Sequence, residues 1–245
     1  MFDGDPRGRM ERSDNDLVLS FLRVRRAIGI LGYFLPPALL AYSLIWGNGL
    51  LPSISAYYYS PMREVFVGTL SAIAVFLWSY EGYRPRPGEW LSDLMAGRAA
   101  SLGALAVALI PTAPAEPVAC TLSQCLVGFS IAGTLHWLGA ALFFGALALF
   151  CLVLFVRGAH PDAEKTASNS IYRACGWIIL AAVALIGLIL LSPDAVKTQL
   201  MPLRPVFWLE TIATFAFATS WMVKGDAMRP VVRALAQAET GHRAP

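Results

Sequence analysis

Pro52-Ser-Ile-Ser-Ala-Tyr-Tyr-Tyr-Ser-Pro-Met-Arg-Glu64 is polar, aromatic and turn-rich, and it stands between two long apolar runs, at about 27–46 and 64–80. A polar turn between two runs of near-spanning length reads as the first loop joining membrane-crossing helices. Tyr57, Tyr58 and Tyr59 suit a membrane–water interface, where each ring enters the acyl boundary and its hydroxyl stays wet.

The alternation continues outward. Further apolar runs lie at about 94–111, 127–156, 172–191 and 206–223. Between them stand Arg84-Pro-Arg-Pro-Gly-Glu89, the prolines Pro111, Pro114 and Pro117, the polar stretch 157–170 and the Pro-bounded stretch 192–204. Only 14% of the 245 residues are charged, against roughly 25% in an average soluble domain. The mean hydropathy of +0.58 points the same way. The expected fold is all-α: a polytopic membrane protein with a six-transmembrane-helix bundle. Residues 1–22 form an N-terminal tail, 23–224 the membrane domain and 225–245 a C-terminal tail, expected as a short amphipathic surface helix. Pro36-Pro37 predicts a kink in the first span. The fourth run is longer than a span needs and predicts a tilt or a projecting end.

Positive charge sets the orientation. With the N-terminus inside, sixteen of the 19 Lys and Arg residues fall on the inner side, and only Arg63, Lys197 and Arg204 fall outside. Both termini are therefore expected to be cytoplasmic. The first span ends in Trp46-Gly-Asn-Gly, unlike a small-residue cleavage site, and reads as a retained signal anchor of a bacterial cytoplasmic (inner) membrane.

Helical rise converts position into depth. His136 lies 21 residues before Arg157, roughly 31 Å, which places it near the outer interface. Glu210 lies 14 residues before Lys224, about 21 Å, within the outer leaflet. Glu64 opens the second span at that side. Ionisable groups inside spans are costly and face a bundle interior or a wet cavity. A cluster of Tyr57, Tyr58, Tyr59, Arg63, Glu64, His136, Arg204 and Glu210 is therefore the expected lipid headgroup site, with Glu64, His136 and Glu210 as the catalytic candidates of an enzyme. The same residues serve equally for packing and topology by pairing with one another. A second polar group, Tyr80, Glu81, Asp93, Arg98, Asn169, Tyr172 and Arg173, is expected at the inner face, tying helix ends together.

Several chemistries fail on their residues. Of three histidines, His160 and His242 fall on the opposite side from His136, so a three-histidine zinc site cannot be assembled. His136 with Glu64 and Glu210 is the remaining permitted ligand type, and no metal or other cofactor is assigned. Ser53, Ser55, Ser60 and Ser130 share a side with His136, yet no G-x-S-x-G elbow is present. Phosphate-binding glycine motifs are missing, which argues against nucleotide binding. The basic residues form no aromatic–basic surface, which argues against nucleic acid. Cys120 and Cys125 fall in an outer loop, where they pair in an oxidising compartment or remain free thiols. Cys151 and Cys175 read as packing residues. Small residues at 99–104, Gly139-Ala140 and Gly145-Ala146 permit close helix approach, with homo-oligomer formation as a secondary use.

Ser53–Gly68, Tyr80-Glu-Gly-Tyr83 with Asp93, Ala108-Leu-Ile-Pro-Thr112, His136–Phe144, Phe207-Trp-Leu-Glu210 and Lys224-Gly225 together resemble bacterial six-span proteins of the domain-of-unknown-function 998 type. More distantly they resemble the FRAG1/DRAM/Sfk1 membrane family. The resemblance covers most of 27–225 and implies a six-helix membrane bundle. It transfers no catalytic residues, and through the eukaryotic relatives it implies a part in lipid handling, autophagy and membrane organisation. The leading expectation is a protein that binds or organises membrane lipid. The alternative is an intramembrane hydrolase or transferase using His136 with Glu64 or Glu210, and a small-solute transporter comes third.

Overall fold

The computed structural model describes residues 16–46, 49–82, 91–114, 116–157 and 163–241. The expected loop 84–89, the tail before residue 16, His160 and His242 lie outside the described residues. Among those described, all regular structure is helical. Helix α1 spans Asp16–Ile45, α2 Arg63–Trp78, α3 Asp93–Leu109, α4 Leu122–Val127 and α5 Phe129–Leu149. A π turn, Phe150–Leu154, extends α5. Then follow α6 at Ala163–Leu191, α7 at Asp194–Leu200, α8 at Pro205–Lys224 and α9 at Arg229–Gly241.

Three boundaries differ from the sequence expectation. Helix α1 starts at Asp16, inside the stretch expected as a tail, and runs unbroken through Pro36 and Pro37. Helix α6 starts at Ala163, not at 172, because its polar first turns also have a buried side: Ala167 is fully buried and Tyr172 nearly so. The run expected at 127–156 divides at Gly128, whose φ of 83° suits a residue without a Cβ.

Six helices close into a ring in the order α1–α2–α3–α5–α6–α8, with α8 packed back against α1. Ring helices that follow one another in the chain are neighbours, and within the ring only the closing pair, α8 on α1, joins parts distant in sequence. There Tyr33 and Thr219 hydroxyls share a hydrogen bond of 2.5 Å, and the Tyr33 and Phe215 rings lie 5.6 Å apart. Close crossing of α3 and α5 depends on glycine: a Cβ on Gly103 would stand 2.6 Å from the Phe143 backbone nitrogen and 2.7 Å from the Gly139 carbonyl.

Helix exteriors are apolar. Trp177 and Leu188 on α6 are each 65% exposed, and Leu138 on α5 is 61% exposed. Water does not tolerate such faces over a large area, whereas hydrocarbon does. Four helical segments, Leu22–Ile45, Phe129–Leu154, Ala163–Leu191 and Pro205–Lys224, are long and apolar enough to cross a membrane. At 16 and 17 residues, α2 and α3 are shorter.

The interior has two zones. At the end where α2 finishes, Tyr80, Phe150, Phe155 and Trp221 are fully buried in edge-to-face contact, Tyr80 and Trp221 at 5.0 Å. There the Arg25 guanidinium donates to the Tyr80 hydroxyl at 3.2 Å, and that hydroxyl donates to Asp93 at 3.3 Å. Lys224 lies over the Phe155 ring at 5.0 Å. Arg98, expected in this group, is exposed over the Trp78 ring, and Arg173 is exposed. The other zone lies where α1 gives way to α2.

Candidate functional site

Residues 52–62 do not lie flat at the surface. They fold back among the helix ends as a plug, with the short 3-10 turn Ser55–Tyr59 at its centre. Ile54, Ser55, Tyr57 and Tyr58 are buried. For Tyr57 and Tyr58 this corrects the expectation of three interfacial tyrosines with wet hydroxyls, whereas Tyr59 is half-buried. A fully buried hydroxyl needs a protein partner, and each tyrosine has one. Tyr57 bonds the Ser43 hydroxyl of α1. Tyr58 accepts from Arg63 at 2.7 Å. Tyr59 donates to the Thr112 carbonyl at 2.7 Å and accepts from Gln124 at 2.6 Å.

Glu210, one turn into α8, reaches the plug from the other side. Its carboxylate accepts the Ile54 backbone N–H at 2.5 Å and also that of Ser55. These are donors at the start of a helical turn, where the chain supplies no carbonyl of its own. One turn earlier, the Phe207 N–H donates to the Pro52 carbonyl at 3.1 Å.

His136 completes the arrangement. Its Nδ1 lies 2.7 Å from the Ile110 carbonyl, and its Nε2 lies 3.0 Å from the Ser55 hydroxyl. A carbonyl only accepts, so Nδ1 carries the proton. Nε2 is then the acceptor, and Ser55 donates to it. Ser55 is 6% exposed, His136 1% and Glu210 8%.

The cluster expected from sequence is thus divided. Tyr57, Tyr58, Tyr59, His136 and Glu210 meet through the plug. Glu64 does not join them: it is exposed in the first turn of α2. The core face of that helix is set by Phe66, Leu70 and Ile73, and a residue two positions before Phe66 points to the opposite side. Arg63 is also exposed and stacks over the Tyr58 ring at 4.3 Å. Arg204 is half-buried and caps α8 in a left-handed conformation, φ 48°. Among the described residues, no three His, Cys, Asp or Glu side chains come together as a metal site. A disulfide joins Cys120, just before α4, to Cys125 within it, with Cα atoms 5.3 Å apart.

Sequence reasoning passed over Gln124, Ser43 and the Ile110 carbonyl, and named Ser55 only as one of four serines sharing a side with His136. Gln124 carried a usable signal, because Thr121-x-x-Gln124 before an apolar run is a capping box, and the Thr121 N–H does bond the Gln124 side chain at 3.1 Å. Ser43 had no signal beyond that of any serine, and nothing set Ser55 apart from Ser53, Ser60 and Ser130. The Ile110 partner is a backbone carbonyl, which no side-chain identity can announce.

Three spaces adjoin the plug. A cavity of about 40 Å³ lies directly beneath it, lined by Ser55, Glu210 and apolar side chains from α1, α2, α3, α5 and α8. A groove of about 290 Å³ runs between α5, α6 and α8, lined by Trp137, Ala141, Phe144, Ile186, Gly187 and Leu190, with Glu210 as its polar contact. It shares Ala140, Phe144 and Glu210 with the cavity. A recess of about 520 Å³ at the plug end shares Trp137 and Leu190 with the groove. Ser53, Tyr59, Thr112 and Glu116 line that recess, and among the described residues no Lys or Arg does.

Fold and site define a class: an all-helical chain with an apolar exterior, four helices fit to cross a membrane, and a buried polar plug at one end. Compared with family models, curated proteins and solved structures, the chain matches none of them.

Proposed function

We propose that the chain is an integral protein of the bacterial cytoplasmic membrane that binds a single lipid molecule from the outer leaflet. All six ring helices cross the bilayer in this reading, with both termini cytoplasmic and the plug end outside. Helices α2 and α3 reach only about 24–26 Å by helical rise, so the bilayer thins beside them or the plug completes the span.

The observation that carries the reading is that the apolar groove and the recess, whose largely apolar lining includes Ser53, Tyr59, Thr112 and Glu116, share Trp137 and Leu190. An acyl chain suits the first and a headgroup the second. Moving a tail from bilayer to groove releases no water, so hydrophobicity supplies little selectivity. Selectivity then rests on the headgroup. The recess offers hydroxyls, a carbonyl and the Glu116 carboxylate, with no basic residue among the described residues that line it. That chemistry favours a head rich in hydroxyls or bearing an amine over one with net negative charge. Arg63 and Arg204, expected as headgroup ligands, are not part of that lining.

Gly187 provides the test. It lines the groove, and a Cβ there would meet nothing within 4 Å. Gly187→Leu therefore leaves the backbone through open space and puts a side chain into the groove, while improving helix propensity. The expected result is about tenfold less lipid retained by the purified protein in native mass spectrometry, equivalent to ~1.4 kcal/mol. Unchanged retention would sink the reading.

A further inference from the structure

We propose that Ser55 is an acyl-accepting nucleophile with His136 as its base, acting on the ester-linked acyl chain of a lipid held in the groove. The inference rests on the groove being a lipid site.

Three independent features converge on Ser55. Its hydroxyl donates to His136 Nε2 at 3.0 Å, within general-base reach. The Ile110 carbonyl fixes the ring and its tautomer through Nδ1–H at 2.7 Å, the role of the orienting third group in nucleophile–base pairs. Ser55 also lines the cavity that meets the groove at Ala140, Phe144 and Glu210, so an acyl carbonyl at the groove's end approaches the hydroxyl from the apolar side. Finally, the N–H groups of Ile54 and Ser55 already converge on an oxygen-bearing anion, the Glu210 carboxylate. A nucleophile's own N–H and a neighbouring one are suitable donors for the oxyanion of a tetrahedral intermediate. Glu210 borders both the cavity and the groove, so its carboxylate has space to swing aside when a substrate carbonyl takes those donors.

The step balances on these groups alone. Ser55 Oγ attacks the acyl carbon while His136 Nε2 takes the hydroxyl proton. The tetrahedral intermediate collapses, the ester C–O bond breaks, and the departing alcohol oxygen takes the proton back from His136 Nε2. Acyl-Ser55 remains, and water or a second alcohol releases the acyl group by the same route. Because a neutral carbonyl stabilises an imidazolium less than a carboxylate does, the pair is a slow nucleophile.

Purified protein in lipid nanodiscs, treated with a long-chain alkyl fluorophosphonate, tests this by peptide mass mapping. One adduct on Ser55 is expected. Ser55→Ala should lose it, His136→Gln should slow labelling about a hundredfold or more, and Ser130→Ala should label like the parent. Gly187→Leu should slow the long-chain probe and spare a short-chain one. If the parent protein, folded and monodisperse, shows no adduct on Ser55, the proposal is overturned. A label that persists in Ser55→Ala on another serine overturns it as well. Retention of lipid that responds to Gly187→Leu, with Ser55 unlabelled, removes only the nucleophile. Retention that ignores Gly187→Leu removes the groove reading itself.

Discussion

Glu210 is the residue on which the plug depends. Its carboxylate is the acceptor for two buried N–H groups in a segment more than 150 positions away in the chain. Glu210→Ala leaves both donors unmet, at about 1–3 kcal/mol each. A clear fall in the thermal midpoint in detergent is expected, read by loss of helical circular dichroism. Glu210→Gln keeps one acceptor oxygen and should fall by less than half as much. Equal losses would show that the charge, and not the acceptor, holds the plug. At this scale the sequence was partly legible. Glu210 and His136 stand out because an ionisable residue in an apolar run is expensive and must have a reason. Ser55 does not stand out, because a serine in a polar loop costs nothing. The placement of Glu64 was misread: rise along a helix gives depth, but only rotation about the axis gives direction, and that required knowing which face of α2 meets the core.

Between elements, the α3–α5 crossing is the tightest test of packing. Gly103→Ala would press a methyl against the α5 backbone at 2.6–2.9 Å, where no flexible side chain can yield. Overpacking of this kind costs about 1–3 kcal/mol. Gly145, in the separate pair Gly145-Ala146 that sequence also suggested for helix approach, faces open space. Gly145→Ala should therefore be neutral or slightly stabilising, and thermal unfolding of the two variants side by side checks the contrast. The small residues thus serve different ends: Gly103 and Gly139 are occupied within the chain, and only an open position such as Gly145 is left for a neighbouring copy. Element boundaries were legible wherever proline or charge ends an apolar run, as before α8. They were less so at Gly128, where an apolar sequence continues through a break that depends on a single φ angle.

For the whole molecule, the proposed topology puts the Cys120–Cys125 disulfide outside and α9 inside. In intact cells, after mild reduction, a membrane-impermeant maleimide should label Cys120 and Cys125, while the buried Cys151 and Cys175 stay protected until denaturation. A cysteine introduced at the exposed Val231 of α9 should react only once the membrane is opened. Labelling of the α9 cysteine in intact cells, with Cys120 and Cys125 protected, would reverse the orientation. By itself the sequence determined that this is an apolar helical chain, where its apolar runs lie, and which ionisable groups sit within them. Partition into hydrocarbon is close to a sum over residues, so a linear reading suffices for such questions. Only the tertiary structure decided that Pro52–Glu64 turns inward, that Ser55 rather than Glu64 meets His136, and that a groove lies between α5, α6 and α8. Those outcomes follow from closing α8 onto α1, which brings Glu210 over the plug. Hydrogen-bond partners are chosen by that closure, and a pairing between residues so far apart leaves no periodicity for a sequence reading to find.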